Sequence, residues 1–243
     1  MGKIGELING RENGAFTIGN CTFNFKRNYS YVESIIGKIA DMFGIQHVQY
    51  APVRDHGLDY YIYDDMSYLE PVVKAEDTCI QSSNINEIRD AIYYLYPEDA
   101  DAIMTQFMKM FFMDLMVLNN CRRNDSWGFR KNGEHSELCL IDNDSSFLIA
   151  SSFMSSCDNP ENDSQLEIEN ILDNFPVEYI ELFKSMFQAL DYDMLKQIME
   201  DTEKELDSRL DNKYLFLGRF DIFRDKILEI MNRKNVQLEK KES

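Results

Sequence analysis

The sequence runs to 243 residues, with a formal net charge of −18, 44% hydrophobic and 12% aromatic residues. That is enough chain to bury a sizeable core and suits one two-lobed domain better than two independent ones, while the charge argues against nucleic acid or an anionic membrane as partner, since both need a positive face. Five cysteines with no C-x-x-C spacing indicate neither a disulfide framework nor a zinc site, the N-terminal residues hold no apolar signal region, and no apolar run reaches about 18 residues, so a reduced, cytoplasmic setting is expected.

Residues 1 to 29 read as short strands. Gly10, Asn13-Gly14 and Gly19-Asn20 are turn signals, and between them Ala15 to Ile18 and Cys21 to Lys26 have strand character. Tyr31, Ile35, Ile36, Ile39, Met42 and Phe43 then recur at helical spacing. Glu33 falls in the first turn, and Gly44 stands where a helix C-cap belongs. Val48 to Val53 and Leu58 to Tyr63 read as a hairpin around His56-Gly57. From about residue 84 the spacing predicts helices, over Ile85 to Tyr96 and Ala100 to Leu118; the Phe and Met run from Phe107 to Met113 is core. Residues 151 to 165 form a polar connector rich in Ser and Asn. Helices follow from Pro176, around Leu195 to Leu210, and from Tyr214 to Met231, with a charged tail expected to fray from Asn232.

One stretch interrupts this pattern. The apolar run ending at Leu118 gives way to Asn119-Asn120-Cys121-Arg122-Arg123-Asn124-Asp125-Ser126 before Trp127-Gly128-Phe129 resumes it. A second apolar strand, Leu138-Cys139-Leu140-Ile141, ends in Asp142-Asn143-Asp144-Ser145-Ser146. Two polar tips presented by apolar elements suggest a site. Arg122, Arg123, Arg130 and Lys131 lie close together in an otherwise acidic chain, which favours a local anion site.

These two stretches resemble the HipA-like kinases, a bacterial branch of the protein-kinase-like fold. That family carries D-x-L-I-G-N-x-D-R-H-x-x-N-W-G-F followed by a strand ending in D-x-G-S-S-L. Without gaps, Asp114, Asn119, Arg122 and Trp127-Gly128-Phe129 match the first motif, and Asp142, Ser145 and Ser146 match the second. The departures fall where the chemistry is done: Cys121 replaces the catalytic Asp, Arg123 the His, Ser126 the metal-binding Asn, and Asp144 the Gly. The wording of the helix from Glu33 to Ile45 is also similar to the corresponding family helix.

The resemblance implies an α+β, two-lobed protein-kinase-like fold with a small β-rich N-lobe and a mostly helical C-lobe. The expected division is a nucleotide-covering lobe over 1–70, a helical lobe with the catalytic-type and metal-type loops over 71–235, and a charged tail over 236–243. It implies ATP and Mg2+ as cofactors, because phosphoryl transfer needs cations for the triphosphate, carboxylates for magnesium and a group to orient the acceptor hydroxyl. Lys26 would meet the α and β phosphates and Glu33 would hold it by an ion pair; by itself Lys26 is a strand-end residue. Asp142 would bind magnesium, although it also suits a turn or N-cap. Ser126 would give a weaker or water-mediated metal contact, and Asp144 either helps hold the ion or faces solvent. Cys121 reads as a lost base, or alternatively a new nucleophile activated by Arg122 and Arg123. The arginine pair would bind a phosphate or an acidic partner, or be exposed loop residues.

The expected function is therefore an ATP- and magnesium-binding pseudokinase with weak or absent Ser/Thr phosphotransferase activity, working through a protein partner or substrate rather than nucleic acid or membrane. Two other readings stay open: an active divergent kinase or a transferase of another part of ATP, and an interaction protein that binds no nucleotide.

Overall fold

The computed structural model describes residues 13–18, 21–27, 31–55, 58–64, 73–78, 80, 85–117, 119, 122, 124, 126–141, 177–207, 209–210 and 213–239. The hairpin turn at His56-Gly57, Asn120 and the connector over 151–165 lie outside them. The chain divides into two compact units, Met1–Met110 with Arg122–Asp144, and Phe111–Cys121 with Ser145–Ser243.

The first unit holds two four-stranded sheets. In one, β1 (Asn13–Ile18) pairs antiparallel with β2 (Cys21–Arg27), β2 with β5 (Leu58–Asp64), and β5 with β4 (Tyr50–Asp55). Alternation puts Phe23 and Phe25 on one face of β2, where Phe16 stacks on Phe23 at 5.7 Å between ring centroids. The backbone of Lys26 is opposite Asn13 on one side and Tyr61 on the other, so it lies within the ladder rather than past its end.

Helix α1 (Tyr31–Phe43) follows, burying Ile35, Ile36, Ile39 and Phe43 of the predicted stripe together with Ala40, while Tyr31 and Met42 are half-buried. It closes in a Schellman motif: Ile45 N donates to Ala40 O at 2.8 Å, Gly44 N donates to Asp41 O at 3.0 Å, and Gly44 takes φ +64. Only glycine adopts that conformation without strain. Lys109 Nζ donates to the Phe43 carbonyl at 2.9 Å, adding a cation at the negative end of the helix.

In the second sheet, β3 (Gln46–His47) runs parallel to β8 (His135–Leu140), which pairs with β7 (Trp127–Asn132), which pairs with β6 (Val73–Lys74). The β7–β8 hairpin turns through Gly133 and Glu134, and Gly133 supplies the positive φ of +66 that a tight hairpin needs. Leu138, Cys139 and Leu140 are all fully buried, the signature of a strand covered on both faces. Trp127 packs between Phe107 and Phe129, at 5.3 and 5.5 Å, and Phe129 meets Tyr96 at 4.7 Å. Helix α2 (Ile85–Leu95) and the first part of α3 (Ala100–Met116) belong to this unit. The turn between them is tied to the hairpin by Asp99, whose carboxylate accepts from Ser136 N at 2.7 Å and His135 Nδ1 at 2.8 Å.

The second unit contains the end of α3 and helices α4 (Ile180–Ala189), α5 (Tyr192–Glu205) and α6 (Lys213–Glu239). Phe112 packs on Phe183 at 4.4 Å and Phe183 on Phe187 at 5.2 Å. Asp191 caps α5, accepting from Met194 N at 2.8 Å. Glu203 ties α5 to α6, accepting from Leu210 N at 2.8 Å and Lys213 Nζ at 2.6 Å.

Several bounds differ from those the sequence suggests. Helix α3 ends at Met116, α5 spans Tyr192–Glu205, and α6 continues to Glu239, past Asn232 where fraying is expected. The Gln, Leu, Glu, Arg and Lys residues of that end have good helix propensity even without an apolar stripe. The strands β3 and β6 were not anticipated, because two residues carry no period. Among the described residues no helix is long and apolar enough to cross a membrane.

Candidate functional site

Glu33 stands in the first turn of α1, where the positive end of the helix favours a carboxylate. It is only 2% exposed. Burial of a carboxylate is costly unless charges or donors surround it, so Glu33 is set up for an interaction and not for solvation. Lys26 is close in sequence and belongs to the same unit; its side chain lies outside the described structure.

The second group forms at the end of the β7–β8 hairpin away from Gly133. Trp127 is opposite Leu140, and the pairing extends one step beyond the strands, where Ile141 N donates to Ser126 O at 3.0 Å. Arg122 Nη1 reaches the same carbonyl at 3.4 Å. Asn124 Nδ2 donates to Ile80 O at 3.1 Å, fastening the intervening loop to the segment after β6. Ser126, a buried polar residue, is thus paired through its backbone with the residue immediately before Asp142. A serine hydroxyl and a carboxylate are hard oxygen donors of the kind magnesium takes, so the donor chemistry fits that ion.

In the second unit, Asp114 occupies the last turn of α3, 6% exposed. A carboxylate at a helix C-terminus opposes the macrodipole. Asn119 offsets this: its Nδ2 donates to Asp114 Oδ1 at 3.0 Å, and its backbone N donates to the Asp114 carbonyl at 2.8 Å. The pair closes the chain back on the helix two residues before Cys121.

Cys121, Arg123, Asp142 and Asp144 lie outside the described residues, as does the side chain of Lys26. The structure thus brings Arg122 and Ser126 together and buries Glu33. Among the described residues no group of three or more His, Cys, Asp or Glu gathers as a metal site. Cys139, two residues before Ile141, is fully buried, and burial pushes its thiol up to about 11, against a smaller opposing effect of Arg130.

No family model matches the chain, and no curated protein does. The crystal structure of the Helicobacter pylori proinflammatory kinase CtkA aligns with a TM-score of 0.60 at 13% identity, over 93% of this chain and 95% of that one. The fold is kinase-like. The α+β, two-lobed class expected from the sequence is the fold of this chain. A chain of the Shewanella oneidensis MR-1 toxin–antitoxin complex of HipA, HipB and operator DNA aligns with a TM-score of 0.47 at 9% identity, over 88% of this chain and 58% of that one. The fold assignment rests on the first of these.

Sequence reasoning passed over Asp41, His47 and Lys109, which hold α1 in place. Lys109 carried a signal, being the one cation in the run from Phe107 to Met113. For His47 the available hint was its place just after the glycine that ends a helix.

Proposed function

We propose that the protein is a kinase-fold, ATP- and magnesium-binding pseudokinase that acts through a protein partner, with weak or absent Ser/Thr phosphotransferase activity. The observation that carries this reading is the backbone pairing of Ser126 with Ile141 inside a kinase-like fold, which joins the end of the catalytic-type loop to the strand leading into Asp142. In this reading Lys26 meets the α and β phosphates, and the buried Glu33 holds its ammonium. Asp142 and Asp144 bind magnesium, with Ser126 contributing a hydroxyl oxygen. Arg122 and Arg123 offer positive charge to a phosphate or an acidic partner.

Binding and turnover then part company at Cys121. A thiol there cannot orient and deprotonate an acceptor hydroxyl as a carboxylate does, and the loss of a positioned base is worth roughly 10²- to 10⁴-fold. Phosphate and metal binding do not depend on that group.

The test is a thermal-shift titration with ATP and magnesium on wild type, Lys26→Ala and Asp142→Ala. Ligand at 100 times its dissociation constant adds about 2.7 kcal/mol to the wild type. The variants lose most of that increment while keeping the unliganded melting temperature. Equal shifts for all three, or no shift in wild type, would remove the nucleotide site from the reading.

A further inference from the structure

We propose that His47 is a positioning residue for the nucleotide site, fixing the helix that carries Glu33 against the strand that leads into Asp142. This rests on the nucleotide-binding reading above. The imidazole is buried, 6% exposed, and bridges two elements. On the α1 side its Nε2 lies within hydrogen-bond distance of Asp41 Oδ1, at 3.0 Å. Gln49 Nε2 is 3.2 Å from the same ring nitrogen. The Nδ1 of the ring lies 3.0 Å from the Val48 carbonyl.

The ring also rests on Gly37. A Cβ built there would meet His47 Cε1 at 3.0 Å, tighter than nine in ten real Cβ contacts. Gly37 is one turn beyond Glu33 and one turn before Asp41, so the three line the same side of α1. Glycine inside a helix is a cost that alanine avoids, and here it makes the room that lets the ring approach the helix backbone. The contact therefore fixes the height and rotation of α1 at the turn next to Glu33.

On the other side the ring belongs to β3, which is locked to β8. Gln46 pairs with Cys139 and His47 with Leu140, and Val48 N donates to Leu140 O at 2.9 Å. One residue further, Ile141 is held by Ser126, and Asp142 follows. A single side chain thus ties the helix of Glu33 to the strand whose end is the metal-type tip. Lysine, carboxylate and metal groups must meet one triphosphate together, so a shift of α1 along β8 costs affinity although no ligand contact is removed.

The experiment is a calorimetric titration of ATP with magnesium, at a temperature where circular dichroism shows every variant folded. His47→Ala weakens binding about tenfold, as expected for loss of a group coupled to the site. His47→Gln, which keeps a donor for Asp41, recovers at least part of that loss. In a Glu33→Gln background the His47→Ala change adds less than about threefold, because its effect runs through Glu33. A merely structural role would move stability and leave this coupling at zero. If His47→Ala does not fold, Gly37→Ala displaces the ring by tenths of an ångström and takes its place in the same cycle. Unchanged affinity in the histidine variants, or full additivity with Glu33→Gln, overturns the proposal while leaving nucleotide binding intact. Absence of binding in wild type overturns the nucleotide reading and this proposal with it.

Discussion

Lys109→Met tests the cation placed at the C-terminal end of α1. The change keeps a long, flexible side chain in the apolar run of α3 and removes the ammonium that donates to the Phe43 carbonyl at 2.9 Å. A hydrogen bond to a charged partner is worth about 1.5 to 3 kcal/mol, and a cation at a partly buried helix C-terminus up to about 2 kcal/mol. These describe one contact and are not summed. Lys109 is half-buried, so the lower end applies and about 1.5 kcal/mol of stability is lost. For a chain of this length each kcal/mol moves the melting temperature by roughly 2 to 4 °C, giving a fall of about 3 to 6 °C by calorimetry. Lys184→Met is the control, because Lys184 makes an i,i+3 pair with the exposed Glu181 at 2.6 Å, and such pairs contribute about 0 to 1 kcal/mol. If Lys109→Met lowers the melting temperature no more than Lys184→Met does, the Schellman turn alone ends the helix and the lysine contributes nothing there.

Two further outcomes are expected. Asp99 is held below the ordinary carboxylate range by the Ser136 N–H and then by His135; for Glu203 burial acts upward but is outweighed by Lys213, the Leu210 N–H and Arg209. Both folded values are depressed, so their stabilisation is complete above the unfolded values of about 3.9 and 4.3 and is lost as pH falls through the folded ones; Asp99→Asn with Glu203→Gln flattens the fall of the urea midpoint below about pH 4, and parallel slopes would contradict this. Cys121→Asp combined with Ser126→Asn raises autophosphorylation, followed by mass spectrometry, at least about tenfold, since a positioned base contributes roughly 10²- to 10⁴-fold and single restorations within one catalytic unit do not add; wild type already as fast would mean that Cys121 is no lost base.

Regular elements were legible where a period exists. The spacing of Ile35, Ile36, Ile39 and Phe43 marks the buried side of α1, and Gly44 its end, because local sterics alone decide both. Leu138-Cys139-Leu140 announced β8 by its uninterrupted apolar character, whereas Trp127-Gly128-Phe129 read only as resumed apolar core and its strand, β7, did not show. The short strands β3 and β6 exist only because β8 and β7 offer them backbone partners; nothing local in Gln46-His47 or Val73-Lys74 demands extension. Lys109 stood out in its sequence, yet its acceptor is 66 residues away in the chain, and spacing carries no information about such a pair. Asp114 and Asn119 were aligned by motif, but the burial that makes their hydrogen bond matter is a property of the packed helix end.

The site and the fold make opposite demands on Glu33. For stability alone, an apolar side chain of similar volume in the first turn of α1 would serve at least as well, since burying a charge costs more than its pairing commonly returns. The surrounding structure nonetheless fixes this helix three times over, by the glycine turn at its end, by Lys109 on its last carbonyl and by His47 against Gly37 and Asp41. Holding a helix so firmly does little for a carboxylate that only needs neutralising, because a charge pair tolerates some sliding. It matters when the carboxylate must keep a cation at one place relative to a second group on another element. Ser126 and Ile141 supply that second element through a backbone bond of their own. Under the proposed function, the helix of Glu33 and the strand end at Ile141 are the held elements, and the step that needs a carboxylate base would fall to Cys121.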